Sequence, residues 1–138
     1  MYDKPDIQPG MKGGERMHIS ADILRGYTDL IILRRLAEGD SYGYRINKQV
    51  TGISDGYLAF KEATLYTAFR RMEAAGLIQS YWGNEESGAR RRYYRLTEAG
   101  KEYLERESDT WREVREMLDR LILDDHESKN EIPVIQVS

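Results

Sequence analysis

Two aromatic, β-favouring runs occupy the middle of this chain, LIQSYWG at residues 77–83 and RRRYYRLT at residues 90–97. The six residues between them, NEESGA, are small or polar. This pattern predicts a β-hairpin whose loop is longer than two residues. Because successive side chains of a strand point to opposite faces, we expect Tyr94 and Leu96 to share the face that packs on the core. The same alternation places Arg90 and Arg92 on that side and places Arg91, Tyr93 and Arg95 on the other.

Two predicted helices lie N-terminal to this hairpin region. The first has Ser20 as its N-cap and is stopped by Gly39, and the second opens at Ser41 and ends near Gly52. Both have apolar residues at helical spacing, which is the pattern of a helix with one buried face. Those residues are Ile23, Leu24, Tyr27, Leu30, Ile31, Leu33 and Leu36 in the first helix, and Tyr42, Ile46 and Val50 in the second.

A third helix is predicted from the stretch KEATLYTAFRRMEAAGLI, residues 61–78. Its apolar residues fall at positions i, i+3, i+4 and i+7, so they form a stripe that turns inward, and Gly76 is placed as a C-cap glycine. The stripe consists of Leu65, Ala68, Phe69 and Met72. The opposite, solvent-facing side consists of Lys61, Thr64, Thr67, Arg70 and Arg71.

A long fourth helix, capped by Thr97, is predicted to follow the hairpin. It contains a heptad seam that is interrupted once, at Glu107. A seam of about three turns is too short for a free coiled coil but long enough to pair two subunits that share other surface. The same face can alternatively be buried within one chain, against the first helix. The seam residues are Leu104, Trp111, Val114, Leu118 and Leu121.

The composition argues against an enzyme and against a bound metal or cofactor. The 138 residues fit a single domain and include no cysteine, which removes thiolate nucleophiles and Cys-type metal sites. The two histidines, His18 and His126, lie near opposite ends of the chain and outside any nucleophile or metal spacing. No apolar run approaches the ~18 residues needed to cross a bilayer. We therefore expect a cytoplasmic protein with no membrane partner and no cofactor.

Charge is distributed unevenly, although the chain as a whole carries a net charge of -3. Residues 17–100 contain twelve Lys or Arg and ten Asp or Glu, whereas the residues from Lys101 onward contain six and eleven. The acidity therefore belongs to the C-terminal part. Overall charge is a poor guide to what the middle of the chain binds.

Three helices, a hairpin and a further helix, in that order, predict a winged helix-turn-helix: a mainly α fold with a small β-hairpin. In that fold the third helix enters the major groove and basic residues of the wing grip phosphate or the minor groove. Arginine suits the wing because its planar fork of donors matches phosphate oxygens. The predicted DNA-binding residues are Tyr42, Lys61, Thr64, Tyr66, Thr67, Arg70, Arg90, Arg91, Arg92 and Tyr93.

Four segments are predicted from these patterns. Residues 1–17 form a flexible arm, residues 18–96 the DNA-binding domain, residues 97–124 the dimerisation helix and residues 125–138 a flexible tail.

The blocks SYGYRINKQV, EATLYTAFRRMEAAGLI and SGARRRYYRLTEAGKEYL resemble the signature blocks of PadR-type transcriptional regulators. The resemblance runs from about residue 21 to residue 123, and the single C-terminal helix is similar to that of the short subfamily. The pattern is especially similar to a lactococcal multidrug-resistance regulator of this family. The resemblance implies a homodimeric repressor of operator DNA, whose last helix packs on the first helix of the partner.

The resemblance also implies a ligand site. A tryptophan at the offset of Trp111 lines a pore between subunits in that relative, where aromatic drugs stack. By the same resemblance Asp29 and Leu30, on the first helix, are ligand-site candidates, and Asp29 would face a cationic ligand. Arg115 places a cation where a carboxylate would serve such drugs better, so the charge preference of the ligand stays open.

The leading hypothesis is a ligand-responsive transcriptional regulator that represses as a homodimer and senses aromatic or multidrug compounds at the dimer interface. The alternative is a winged-helix interaction module that binds an acidic partner, or DNA without sequence preference. Sequence-specific binding to one operator would favour the first hypothesis, and equal affinity for any duplex would favour the second.

Overall fold

The computed structural model describes residues 24–84, 88 and 90–123. Helix α1 (Thr28–Ala37) follows a turn in which the Tyr27 amide donates to the Leu24 carbonyl, and it is succeeded by α2 (Gly43–Ile53) and α3 (Glu62–Ala74). Strands β1 (Ile78–Asn84) and β2 (Arg90–Leu96) then pair antiparallel, before α4 (Glu98–Ile122). This architecture confirms the prediction of a mainly α fold with a small hairpin. The predicted N-cap Ser20 and the segments 1–17 and 125–138 lie outside the described residues.

The chain divides into two compact units, the first ending at Glu105 and the second starting at Arg106. Within the described part of the first unit, the hydrophobic core gathers side chains from α1, α2, α3, the hairpin and the first turns of α4. The rings of Phe69 and Tyr94 stack at its centre, with centroids 4.0 Å apart and planes inclined by 19°. The helix that carries Phe69 and the strand that carries Tyr94 are therefore packed directly together.

The end of α3 is determined by its sequence. Gly76 adopts a positive φ of 80°, which glycine tolerates without a steric cost. The Leu77 amide donates to the Met72 carbonyl at 3.0 Å and the Gly76 amide donates to the Glu73 carbonyl at 3.0 Å. This pair of bonds is the Schellman motif, so the predicted C-cap glycine is confirmed. The chain then enters β1 immediately.

The start of α4 is hydrogen-bonded to the C-terminal end of α3. The Thr97 hydroxyl accepts a bond from the Gly100 amide at 3.0 Å, which confirms Thr97 as the N-cap, and it donates to the Gly76 carbonyl at 2.7 Å. A Cβ built on Gly100 would lie 2.1 Å from the Leu77 carbonyl oxygen. Only glycine fits this close approach of helix and strand.

Ser41 corrects the prediction for α2. The helix begins at Gly43 and its N-cap is Tyr42, whereas Ser41 is buried and forms an isolated β-bridge with Tyr94. The Tyr94 amide donates to the Ser41 carbonyl at 2.8 Å, and the Ser41 amide donates back at 3.2 Å. Because its backbone pairs with β2, Ser41 does not join the helix.

In the described residues no helix is long and apolar enough to cross a membrane.

Candidate nucleic-acid interface

One face of α3 is buried and the other is exposed, as its sequence pattern predicts. Leu65, Ala68, Phe69 and Met72 are buried in the core. Tyr66 lies between the two faces: its edge contacts the Phe69 ring at a centroid distance of 6.0 Å, and the residue remains 44% exposed. The polar residues Lys61, Thr64, Thr67, Arg70 and Arg71 are exposed. The face that could meet base edges is thus backed by a rigid core.

A side-chain amide on α2 positions the start of α3. Asn47 Nδ2 donates to the Phe60 carbonyl at 2.9 Å, and the Phe60 amide donates to Asn47 Oδ1 at 2.7 Å. The Asn47 side chain therefore replaces the backbone partner that a strand would have given Phe60. The loop between α2 and α3 is also tied by the Leu58 amide, which donates to Ser54 Oγ at 2.9 Å. These bonds hold the two helices of the helix-turn-helix in one arrangement.

Arg71 and Asp29 form an ion pair between α3 and α1. The side chains are partly exposed, so solvent screens the pair. Asp29 is the residue that the family resemblance places at a ligand site, and in this structure its carboxylate pairs with Arg71 of α3. Leu30, the neighbouring ligand-site candidate, packs against the core.

Three tyrosine rings cluster on one face of the hairpin. Tyr93 contacts Tyr42 edge to face at 5.3 Å and stacks with Tyr81 at 5.6 Å. The guanidinium of Arg91 lies over the Tyr42 ring at 4.5 Å, and that of Arg45 lies over the same ring at 4.6 Å. The structure therefore brings Tyr42, Tyr93 and Arg91, three of the predicted DNA-binding residues, into one group beside the start of α2.

Asp40 binds two residues of the hairpin face that carries this cluster, Tyr81 and Arg95. The Tyr81 hydroxyl donates to Asp40 Oδ2 at 2.6 Å, and Arg95 Nε approaches the same oxygen at 3.4 Å. The hydrogen bond to Asp40 raises the pKa of Tyr81, because deprotonation would abolish the donor and place two anions together. Arg95, which the sequence places on this face, thus lies beside an acid.

The other face of the hairpin packs on α3. Tyr94 is buried there and its burial raises its pKa. Arg92 donates to Ser80 Oγ at 2.7 Å and lies 3.8 Å from Glu73 of α3, and Ser80 in turn donates to Glu73 Oε2 at 2.6 Å. The predicted DNA-binding residue Arg92 is therefore held by an acid on α3, although it remains exposed.

Trp82 is a residue that the sequence patterns did not assign to the interface. The residue is 54% exposed on β1, opposite Arg92 in the strand register. The guanidinium carbons of Arg90 and Arg92 lie 4.9 Å and 5.6 Å from the ring centroid. The alternation of side chains along the two strands was sufficient to find this grouping, once the register was known.

The residues predicted to form the dimerisation seam fall into both compact units of the chain. Leu104 is only 3% exposed and belongs to the core of the first unit, so its assignment to an intersubunit seam is wrong. The heptad period alone cannot distinguish a residue that packs on its own domain from one that packs on a partner. The other members, Trp111, Val114, Leu118 and Leu121, lie in the second unit.

The second unit contains the distal part of α4. Trp111 is 38% exposed and the Arg115 guanidinium lies over its ring at 4.9 Å. Leu118 is exposed and Leu121 is 72% exposed, whereas Val114 is half-buried. An apolar stripe on a charged helix therefore faces solvent in the single chain.

The fold and the site define a winged helix-turn-helix protein with an arginine-bearing wing. Residues 32–106 match the model of the transcriptional regulator PadR-like family. A transcriptional regulator from Clostridium thermocellum is 44% identical, with a TM-score of 0.68 over 73% of this chain and 98% of its own. A PadR family transcription regulator from Clostridium difficile R20291 is 43% identical, with a TM-score of 0.63 over 70% of this chain and 99% of its own.

The sequence of a protein called "Uncharacterized protein X" from Lysinibacillus sphaericus is also similar, with 42% identity over 101 residues, which span 73% of this chain and 93% of that protein. The chain belongs to the PadR-like family of transcriptional regulators. It is a DNA-binding regulator and not an enzyme.

Proposed function

We propose that the chain represses transcription as a homodimer that binds a palindromic operator through α3 and the wing. The observation that carries this proposal is the Phe69–Tyr94 stack, which joins the exposed polar face of α3 to the arginine-bearing hairpin as one rigid body. With α3 in the major groove, Thr64, Thr67 and Arg70 would meet base edges or flanking phosphates.

The wing supplies the sequence-independent part of the binding. Arg90, Arg91 and Arg92 follow one another at the start of β2, next to the hairpin loop. Each arginine that replaces a counterion at a phosphate steepens the salt dependence of binding. The rings of Tyr42 and Tyr93 contact each other edge to face, and the Arg91 guanidinium lies over the Tyr42 ring, so these tyrosines support the base of this group. Local positive charge is sufficient for this contact, whatever the net charge of the chain.

The test starts by selecting a high-affinity duplex from a random-sequence library with the wild-type protein. The Arg90/Arg91/Arg92→Ala variant is then titrated with that duplex across a range of salt concentrations. We expect weaker binding and a log K against log salt slope that is flatter by roughly 0.9 for each lost phosphate contact. The matched control removes three exposed cations from α4 instead, at Lys101, Arg106 and Arg112. A slope that is unchanged by the wing variant would remove the wing from the interface, and a selection that enriches no sequence would favour the unspecific interaction module.

The proposed dimer uses the apolar stripe of the second unit. Leu118 and Leu121 are exposed in the single chain, and a second copy that covers them would remove apolar surface from water. We expect Leu118→Glu/Leu121→Glu to be monomeric by sedimentation velocity and to bind the selected duplex far more weakly. Glu116→Gln, an exposed position on the same helix, serves as the control. A wild-type protein that is monomeric at micromolar concentration would contradict the proposal.

The proposed effector is a planar aromatic compound that stacks on Trp111. Trp111 is 38% exposed and the Arg115 guanidinium lies over its ring, so a planar compound would stack on the part of the ring that stays exposed or displace this guanidinium. In a Trp82→Phe background, such compounds should quench the Trp111 emission. By thermodynamic reciprocity, the compound and the operator should lower each other's affinity for the protein by the same factor. Equal compound affinities by calorimetry with and without the duplex would defeat induction through this site.

A further inference from the structure

Trp82 is exposed on the wing although most of the aromatic residues around it are packed. On the opposite hairpin face, Tyr93 covers Gly83 so closely that a Cβ on this glycine would lie 2.5 Å from the ring. Tyr81 and Tyr42 complete that cluster. Trp82 has no aromatic ring stacked on it among the residues the structure describes, and its neighbours across the strands are the guanidinium groups of Arg90 and Arg92.

This arrangement orients two cations around one flat apolar surface. A guanidinium beside an indole ring retains its N–H donors, so Arg90 can meet a phosphate oxygen. Arg92 donates to Ser80 Oγ and lies 3.8 Å from Glu73, so a phosphate that binds Arg92 would replace this carboxylate. Between successive phosphates of a DNA strand lies a deoxyribose, which is apolar on its carbon face. An exposed indole flanked by two arginines therefore matches a sugar flanked by two phosphates.

We propose that Trp82 is a DNA contact of the wing, whose ring packs against a deoxyribose while Arg90 and Arg92 bind the phosphates on either side. The proposal rests on the proposed function, because it requires that the wing lies on DNA. An unpaired base is the less suitable occupant, because a base that stacks on the ring must displace a guanidinium from it. A sugar can pack against the surface that stays exposed.

The first experiment measures affinity by anisotropy of a fluorescein-labelled, mixed-sequence duplex at several low salt concentrations. We expect Trp82→Ala to bind roughly three- to tenfold more weakly at every salt concentration, with the salt slope unchanged, because apolar contact area and not a phosphate contact is lost. Arg90→Ala should instead flatten the slope by about 0.9. The control, Gln79→Ala, alters an exposed β1 residue on the opposite face and should bind like the wild type. Circular dichroism confirms that each variant is folded.

The second experiment observes the ring itself. In a Trp111→Phe background, Trp82 is the remaining tryptophan, and saturating duplex should protect its emission from quenching by acrylamide. If wild-type protein binds the duplex while Trp82 stays unprotected, or if Trp82→Ala binds normally, the contact is overturned and the proposed function stands. A flatter slope for Trp82→Ala would show that the ring only orients the arginines, which also overturns it. If the protein binds an oligothymidine of the same length more tightly than the duplex, and Trp82→Ala abolishes this difference, the ring contacts an unpaired base and the sugar contact is overturned. If the wild type binds neither DNA, the proposed function fails together with the contact.

Discussion

Asn47→Ala tests whether one side-chain amide holds the start of α3 in place. The substitution deletes both bonds between Asn47 and the Phe60 backbone, which join α2 to the residue just before the N-cap of α3. Two hydrogen bonds contribute about 1 kcal/mol each, and the buried Phe60 backbone groups would be left without partners at a further cost of about 1–3 kcal/mol. Partial relaxation toward solvent offsets some of this cost, so we expect a loss of about 2–4 kcal/mol in the free energy of unfolding. The free energy of unfolding of a typical domain is only about 5–15 kcal/mol, so this loss would be a large part of it.

Urea unfolding followed by circular dichroism measures this loss, at one fixed protein concentration because dimerisation would contribute to stability. Gln49→Ala, at an exposed position on the same helix, is the matched control and should stay within about 0.5 kcal/mol of the wild type. Asn47→Asp keeps an acceptor for the Phe60 amide and loses the donor, so it should fall between the two. We also expect Asn47→Ala to bind the selected duplex more weakly, because the first turn of α3 loses its support. A loss of stability no larger than that of the control would refute the reasoning.

Three further outcomes are expected. Gly100→Ala should lose about 1–3 kcal/mol in urea unfolding, because a Cβ would lie 2.1 Å from the Leu77 carbonyl oxygen, and a net gain from the higher helix propensity of alanine would contradict the packing. Asp29→Asn should release Arg71 and steepen the salt slope of duplex binding by about 0.9, whereas an unchanged slope would show that Arg71 does not reach phosphate. The pKa of Tyr81 is raised, so the folded state holds this proton more tightly and its contribution to stability is present below about pH 10 and is lost as the pH rises further. Tyr81→Phe should therefore lose less stability than the wild type between about pH 9 and pH 11 in urea titrations.

Local signals in the sequence predicted most of the fold. The helical period of α3, the C-cap glycine Gly76 and the N-cap Thr97 each depend on neighbours within a few residues, and each is found where it was expected. The strand alternation that buries Tyr94 and Leu96 is equally local. These features follow from backbone geometry, which a short stretch of sequence determines.

Contacts between distant parts of the chain could not be predicted in the same way. Ser41 resembles a helix N-cap by residue type, but its backbone pairs with Tyr94, more than fifty residues later in the chain. Leu104 fits a heptad period equally well whether the partner surface is its own domain or a second chain. The grouping of Trp82 with Arg90 required the register of the two strands, which places Trp82 opposite Arg92.

The pairing of arginines with acids explains how a chain of net charge -3 can be selective on DNA under the proposed function. Three arginines around the interface each lie beside a carboxylate, and the pairs are partly exposed, so each is worth about 0–1 kcal/mol. A phosphate can displace such a carboxylate, but it gains less from doing so than from meeting a free cation. Sequence-independent binding is thereby weakened at every duplex alike. A correct operator also offers base edges to α3, and this additional free energy is available only there, so the ratio of specific to unspecific affinity is preserved or raised while the absolute affinity falls. The pairs are Arg71 with Asp29, Arg92 with Glu73 and Arg95 with Asp40.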